Sequence, residues 1–121
     1  MRGVAVFACV AGERHELGLM MAAIALRRDG WKVVYLGADT PLADAVALAR
    51  RLSARILGLS LSVRAHARAL ERALAKASLP DGIRLVLGGA GSSAVLAERL
   101  GAVHAGAELD RAVETVRSLT A

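Results

Sequence analysis

Gly3-Val4-Ala5-Val6-Phe7-Ala8-Cys9-Val10-Ala11-Gly12-Glu13-Arg14-His15-Glu16-Leu17-Gly18 is the stretch that decides the fold. Val4 to Ala8 is a continuous apolar run bounded by Gly3 and the Gly12 loop, as in a strand buried on both faces. An Ala/Leu/Met-rich run from Leu17 to Asp29 follows, with apolar residues at 17, 20, 21 and 24 in helical register. Gly30 ends it as the glycine just past a helix terminus. Gly12 to Gly18 therefore joins a strand to a helix. Such loops lie at the carboxyl edge of open α/β sheets, where ligands bind. Glu13, two residues before His15, is placed to reach the second ring nitrogen and fix its tautomer, the usual support for a metal-bound histidine; the alternative is a solvated loop in which His15 has no role. Gly18 opens the helix with no side chain, so something bulky fits against the backbone there.

The rest of the chain repeats this pattern. Lys32 to Leu36, with Val33, Val34 and Tyr35, reads as the second strand. Thr40 reads as the N-cap and Pro41 as the first residue of a helix running to about Leu52. Arg55 to Leu61 is the third strand, and a helix spans about Ala65 to Ala77. Pro80-Asp81-Gly82 is a turn into a fourth strand, Ile83 to Leu87, which ends in Gly88-Gly89-Ala90-Gly91. A helix from Ser93 to Leu100, a short strand from Ala102 to His104 and a helix from Glu108 to Leu119 complete the order βαβαβαβαβα. Alternation of this kind implies a parallel sheet with right-handed crossovers and helices on both faces. Five such strands most often take the flavodoxin-like order 2-1-3-4-5. In that order the His15 loop, Ser60 with Ser62, and Gly88-Gly89 all end strands on one edge of the sheet. No linker, repeat or low-complexity stretch interrupts residues 1–121, which read as one domain.

Composition narrows the function. A single cysteine, Cys9, excludes an internal disulfide and fits a reducing, cytoplasmic setting. No apolar run approaches the ~20 residues of a membrane span, and the N-terminus lacks a signal-peptide pattern. The net charge is +5, but the arginines are scattered over helix faces and the chain has only one Phe, one Tyr and one Trp. That leaves too few aromatic rings to stack bases among the basic residues, so direct nucleic-acid contact is not expected. Cys9-Val10 and Ser60 stand where a phosphate receiver needs carboxylates. G-x-G-x-x-G, G-x-S-x-G and a Ser/His/Asp triad are absent, and His15, His66, His104 and Cys9 do not cluster as zinc ligands. No catalytic machinery is expected.

Glu13-x-His15-x-x-Gly18, Ser60 and Gly88-Gly89 together resemble the signature of cobalamin-binding domains, with Glu13 where the family carries Asp. Residues 19–59 separate the first two elements and 63–87 the last two, close to the family's usual intervals. The resemblance covers nearly the whole chain. It is closest to the sensor domains of light-responsive, MerR-type transcription regulators that use adenosylcobalamin, and Tyr35 to Pro41 adds to the likeness. It implies His15 as the lower axial ligand of cobalt and Glu13 as the residue that holds it. It implies Ser60 on the base of the displaced nucleotide tail, and Gly88 and Gly89 lining the slot that the tail enters. Ser62 stands where the family usually has Leu, so the apolar wall of the slot differs. The resemblance thus implies adenosylcobalamin or methylcobalamin as cofactor, in a cofactor-sensing regulatory domain. A corrinoid carrier or coenzyme-binding subunit of a methyltransferase or mutase is the alternative, and a flavodoxin-like interaction module without a ligand the second alternative. These 121 residues encode neither a helical cap over the upper face nor a helix-turn-helix, so light-switched DNA binding calls for a partner domain or protein; a homo-oligomer is compatible. Cys9 reads as a small buried residue, Met20 and Met21 as helix core or edge, Trp31 as packing at the sheet edge and His104 as packing or solvent-facing. His66 reads as a surface residue at a helix start, with contact to Glu13 as the second reading.

Overall fold

Along β1 (Gly3–Val10) successive side chains point to opposite faces of the sheet. Val6, Ala8 and Val10 enter one apolar cluster, and Ala5, Phe7 and Cys9 enter another. Both faces are covered, which is why the run is apolar throughout rather than alternating. The structure, a computed structural model, describes residues 1–120. Its other elements are α1 (Leu17–Arg28), β2 (Trp31–Thr40), α2 (Leu42–Arg51), β3 (Ile56–Ser60), α3 (Ala67–Lys76), β4 (Arg84–Gly88), α4 (Ala94–Arg99), β5 (Val103–His104) and α5 (Ala112–Thr120). The five strands are parallel, in the order 2-1-3-4-5 that the alternation implies. Helices α2, α3 and α4 cover the Val6 side, and α1 and α5 cover the Phe7 side. The Phe7 ring lies on Gly58 of β3, where a Cβ would come within 2.6 Å of it. Among the described residues no helix is long and apolar enough to cross a membrane.

Most element boundaries fall within a residue or two of the sequence reading. Three differences have physical causes. Strand β2 runs on to Thr40, because bulges after Tyr35 let Gly37 pair with Ala8 and Thr40 with Val10. Thr40 is consequently the last strand residue and not a helix cap. Its hydroxyl donates to the Gly37 carbonyl at 3.1 Å, and Pro41, with an extended ψ of 136°, is itself the N-cap of α2. The last helix begins at Ala112 instead of Glu108, since Leu109 adopts a left-handed φ of 60° that no helix accommodates. Ser93, read as the first residue of the next helix, is the N-cap of α4 and accepts from the Leu96 N–H at 3.1 Å.

Helix α1 closes on Gly30, whose φ of 96° is the left-handed form expected there. Just before it Asp29 places a carboxylate at the negative end of the helix dipole, an unfavourable position by itself. Arg117 of α5 and Arg2 offset this by pairing with it. The Arg117 hydrogen bond holds the Asp29 carboxyl below its ordinary range. A depressed carboxyl contributes stability above its unfolded pKa and loses it as pH falls through the folded one. Arg117→Gln should therefore raise the Asp29 pKa toward the usual value and weaken the docking of α5. Carboxyl NMR titration checks the first effect, and an unmoved Asp29 resonance would disprove the pairing.

Candidate functional site

The loop after β1 is fixed from both sides. On the β2 side, the Gly12 N–H donates to Asp39 Oδ1 at 2.7 Å, and the Asp39 N–H donates to the Glu13 carbonyl, also at 2.7 Å. Asp39 makes both bonds from a left-handed conformation, φ 51°, which Asp tolerates better than most residues. Tyr35 Oη donates to Glu16 Oε1 at 2.7 Å. Burial first, and then this bond and the Glu16 charge, push the Tyr35 hydroxyl well above its ordinary pKa.

On the β3 side, the Glu13 side chain turns inward and is 1% exposed. Its Oε1 accepts from the N–H groups of Ser62 at 2.9 Å and Val63 at 2.7 Å, and from His66 Nδ1 at 2.9 Å. A carboxylate only accepts, so His66 carries its proton on Nδ1. Burial alone raises the Glu13 carboxyl, but the His66 bond and the two backbone donors outweigh it and hold it below the ordinary range. The second oxygen, Oε2, is buried without a hydrogen-bond partner. It lies 3.8 Å from Nδ1 of His15, whose side chain is 76% exposed. Glu13 thus faces His15 as expected, but here the ring stands beyond hydrogen-bond distance. What occupies Glu13 instead is the turn after β3 and His66, the second of the two readings of that histidine. Gly12 makes this possible, because a Cβ there would lie 3.0 Å from His66 Nε2.

Beside His15 a groove of about 940 Å³ runs down between α1 and the segment leading into α5. That volume lies in the range of ligand sites. His15, Gly18, Ser60, Ser62 and Gly89 all line it. Gly88 does not, which corrects the sequence reading: Leu109 sits on it, with Cδ2 2.5 Å from where a Cβ would be. Gly18 likewise makes room for the Glu108 carbonyl, 3.2 Å from its Cβ position, rather than directly for a ligand. Gly89, φ 106°, is fixed by backbone crowding, since a Cβ would meet the Leu61 carbonyl oxygen at 2.5 Å. Lower down, Ala22, Ala25, Ala112 and Val113 give the groove small apolar walls.

Three further placements complete the site. Cys9 is buried under the loop, and burial, followed by the Glu16 and Glu13 charges, pushes its thiol up to about 11, so it stays protonated and inert. Met21 is exposed and lines the groove, where the sequence suggested helix core or edge. His104, expected to pack or face solvent, instead bonds to Ser92 Oγ at 2.9 Å. Ser92 Oγ donates to the Gly89 carbonyl at 2.9 Å, so His104 Nε2 is the donor. This pair braces the glycine turn. Asp39, Ser92 and Leu109 had no assigned role of their own in the sequence reading, and His104 had only packing or solvent exposure. The only signals were the tolerance of Asp for left-handed backbone and a serine following a glycine run.

A family model described as the B12 binding domain matches residues 3–116. The chain is 37% identical over 103 residues to the HTH-type transcriptional repressor CarH of Myxococcus xanthus, an alignment covering 82% of this chain and 34% of CarH. It thus spans about a third of that relative's length. It is 26% identical over 122 residues to the dimethylamine corrinoid protein 3 of Methanosarcina mazei, covering 98% of this chain and 73% of that one. In fold it matches a cobalamin-binding protein from Desulfitobacterium hafniense with a TM-score of 0.85 at 21% identity, covering 99% of this chain and 60% of the other.

Glu13→Ala would leave the Ser62 and Val63 N–H groups and His66 without their acceptor. Stability should drop by about 2–4 kcal/mol, since each lost bond to a charged group is worth about 1.5–3 and water replaces part of it. Urea denaturation measures this, and a loss under about 0.5 kcal/mol would mean that the carboxylate does not hold the two loops together.

Proposed function

The chain belongs to the B12-binding domain family and binds cobalamin, and we propose that it does so base-off with His15 as the cobalt ligand, in a cofactor-sensing regulatory domain. The observation that carries the ligand assignment is the free Oε2 of buried Glu13, aimed at His15 Nδ1 beside the groove. A buried acceptor with no partner is costly, and a small inward turn of the ring satisfies it. Binding metal through Nε2 leaves Nδ1–H free to donate to Glu13, the usual carboxylate–histidine–metal arrangement. Among the described residues no three His, Cys, Asp or Glu side chains group as metal ligands. One imidazole suits a metal that brings its other ligands in a macrocycle. The residues present therefore fit the group.

Cobalamin, when bound, supplies the cobalt–carbon chemistry. The chain's part is to orient and to enclose. His15 offers the lower ligand, and Glu13, pinned by Ser62, Val63 and His66, orients the His15 ring. Ser60, Ser62 and Gly89 line the upper groove, and the alanines of α1 and α5 give an apolar lower end suited to the ring of the nucleotide tail. Gly88 contributes indirectly by seating Leu109. The sensory reading is supported by the higher identity to CarH, a repressor, than to the corrinoid protein. The second reading, a corrinoid carrier serving a methyltransferase or mutase, is supported by the 98% coverage of the chain by the dimethylamine corrinoid protein.

His15→Ala loaded with methylcobalamin should lose the histidine-ligated visible spectrum while keeping part of its affinity through the tail. A spectrum identical to the parent chain would remove His15 from the site. Ala25→Trp fills the lower groove and should weaken cobalamin at least tenfold, yet leave tail-less cobinamide little changed, by titration of absorbance. Equal losses for both ligands would place the tail elsewhere. To separate the two roles, the adenosylcobalamin-loaded chain is compared by size exclusion in darkness and after light. A sensor must pass a change in cofactor state to something outside the site, so a light-dependent change in assembly or shape supports it, and none supports the carrier.

A further inference from the structure

Beyond the Tyr35–Glu16 bond and the donors that hold the Glu13 side chain, one residue outside the glutamate and glycine signature holds the backbone of the His15 loop. Asp39, at the bulged end of the edge strand β2, holds the peptides of Gly12 and Glu13 at once: its carboxylate accepts from the Gly12 N–H and its own N–H donates to the Glu13 carbonyl, each at 2.7 Å. The Glu13 N–H is already committed to the Val10 carbonyl at 2.9 Å, so both sides of the Glu13 residue are fixed. His15 follows two residues later with no hydrogen bond from its own side chain. Its position over the groove therefore depends on where the loop is anchored. Arg14 adds only a long contact to Asp39, 3.9 Å between exposed groups, which contributes little.

We propose that Asp39 is a positioning residue for the cobalt ligand: by clasping Gly12 and Glu13 it sets the approach of the His15 ring to the metal. The inference rests on the reading of His15 as ligand. It needs two properties of Asp39 that substitution separates. One is the left-handed backbone, φ 51°, open to Asn and Gly and costly for Ala. The other is a side-chain acceptor for Gly12, which Asn retains and Gly lacks.

The test uses the full chain saturated with methylcobalamin, reading the ratio of histidine-ligated to unligated cofactor from the visible spectrum. Asp39→Ala should lower that ratio roughly tenfold, at the low end of what partners around a metal ligand contribute. Cobalamin affinity should change less, because the tail groove is untouched. Asp39→Asn should restore the ratio to within about twofold of the parent, and Asp39→Gly should fall between. A folded Asp39→Ala chain with the parent's ratio overturns the proposal. If Asp39→Ala does not fold, the Asn and Gly variants decide, and equal ratios in those two overturn it. A parent spectrum unchanged by His15→Ala would instead bring down the ligand reading itself, so the two failures are told apart.

Discussion

A buried carboxylate is the constraint on which the site depends. Glu13 is drawn under the surface by three donors that converge on one of its oxygens, and each donor comes from the turn after β3. The consequence is mechanical as well as electrostatic. The loop that follows the first strand and the turn that follows the third become one unit, at the point where the chain changes direction across the sheet. Open α/β sheets leave a crevice there for topological reasons alone. Here the crevice also acquires a negative charge, because the donors stabilise the ionised form against the cost of burial. The other oxygen is left facing the one histidine at the mouth of the groove.

Much of this was legible in the sequence because it rests on periodicity and punctuation. The layer order follows from apolar runs and helical spacing, and the left-handed Gly30 follows from the backbone freedom of its residue type. Glu13, His15, Ser60, Ser62 and Gly89 come together because strand ends on one edge of a parallel sheet are neighbours by construction. What was hidden depends on contacts between segments distant in sequence. Thr40 and Pro41 look like a helix cap and first helix residue, but pairing with Val10 extends the strand to Thr40 and leaves Pro41 as the cap. Gly88 reads as open backbone until Leu109, adopting a conformation that nothing in its residue type announces, covers it. The brace formed by His104, Ser92 and Gly89 joins the end of a short strand to a glycine turn, a meeting that no local pattern encodes.

The two roles consistent with a corrinoid site, sensing and carrying, make different demands on the same residues. A carrier needs the upper face of its cofactor open to exchange with an enzyme. A sensor needs a change at the metal to be felt beyond the site. His15 faces the Glu13 carboxylate across 3.8 Å, and from Glu13 hydrogen bonds run on to the turn before α3 and to Asp39 on the edge strand, a physical route for such a change.

The division of the interior into two cores has a consequence for how the chain responds to its ligand. The side covered by α2, α3 and α4 holds only a small cavity of about 40 Å³. The side covered by α1 and α5 has the groove running into it, so the same layer that encloses Phe7 and Trp31 also gives up part of its packing to a ligand. Ligand binding stabilises the folded state by an amount that grows with the logarithm of ligand concentration over Kd, and here that increment falls on one side of the sheet. Without cofactor the two sides should therefore differ, the groove side having less packing to resist local opening. Amide exchange should slow chiefly along α1 and α5 when cobalamin binds, so that saturation of the site is read as local rigidity long before it is read as a higher melting temperature.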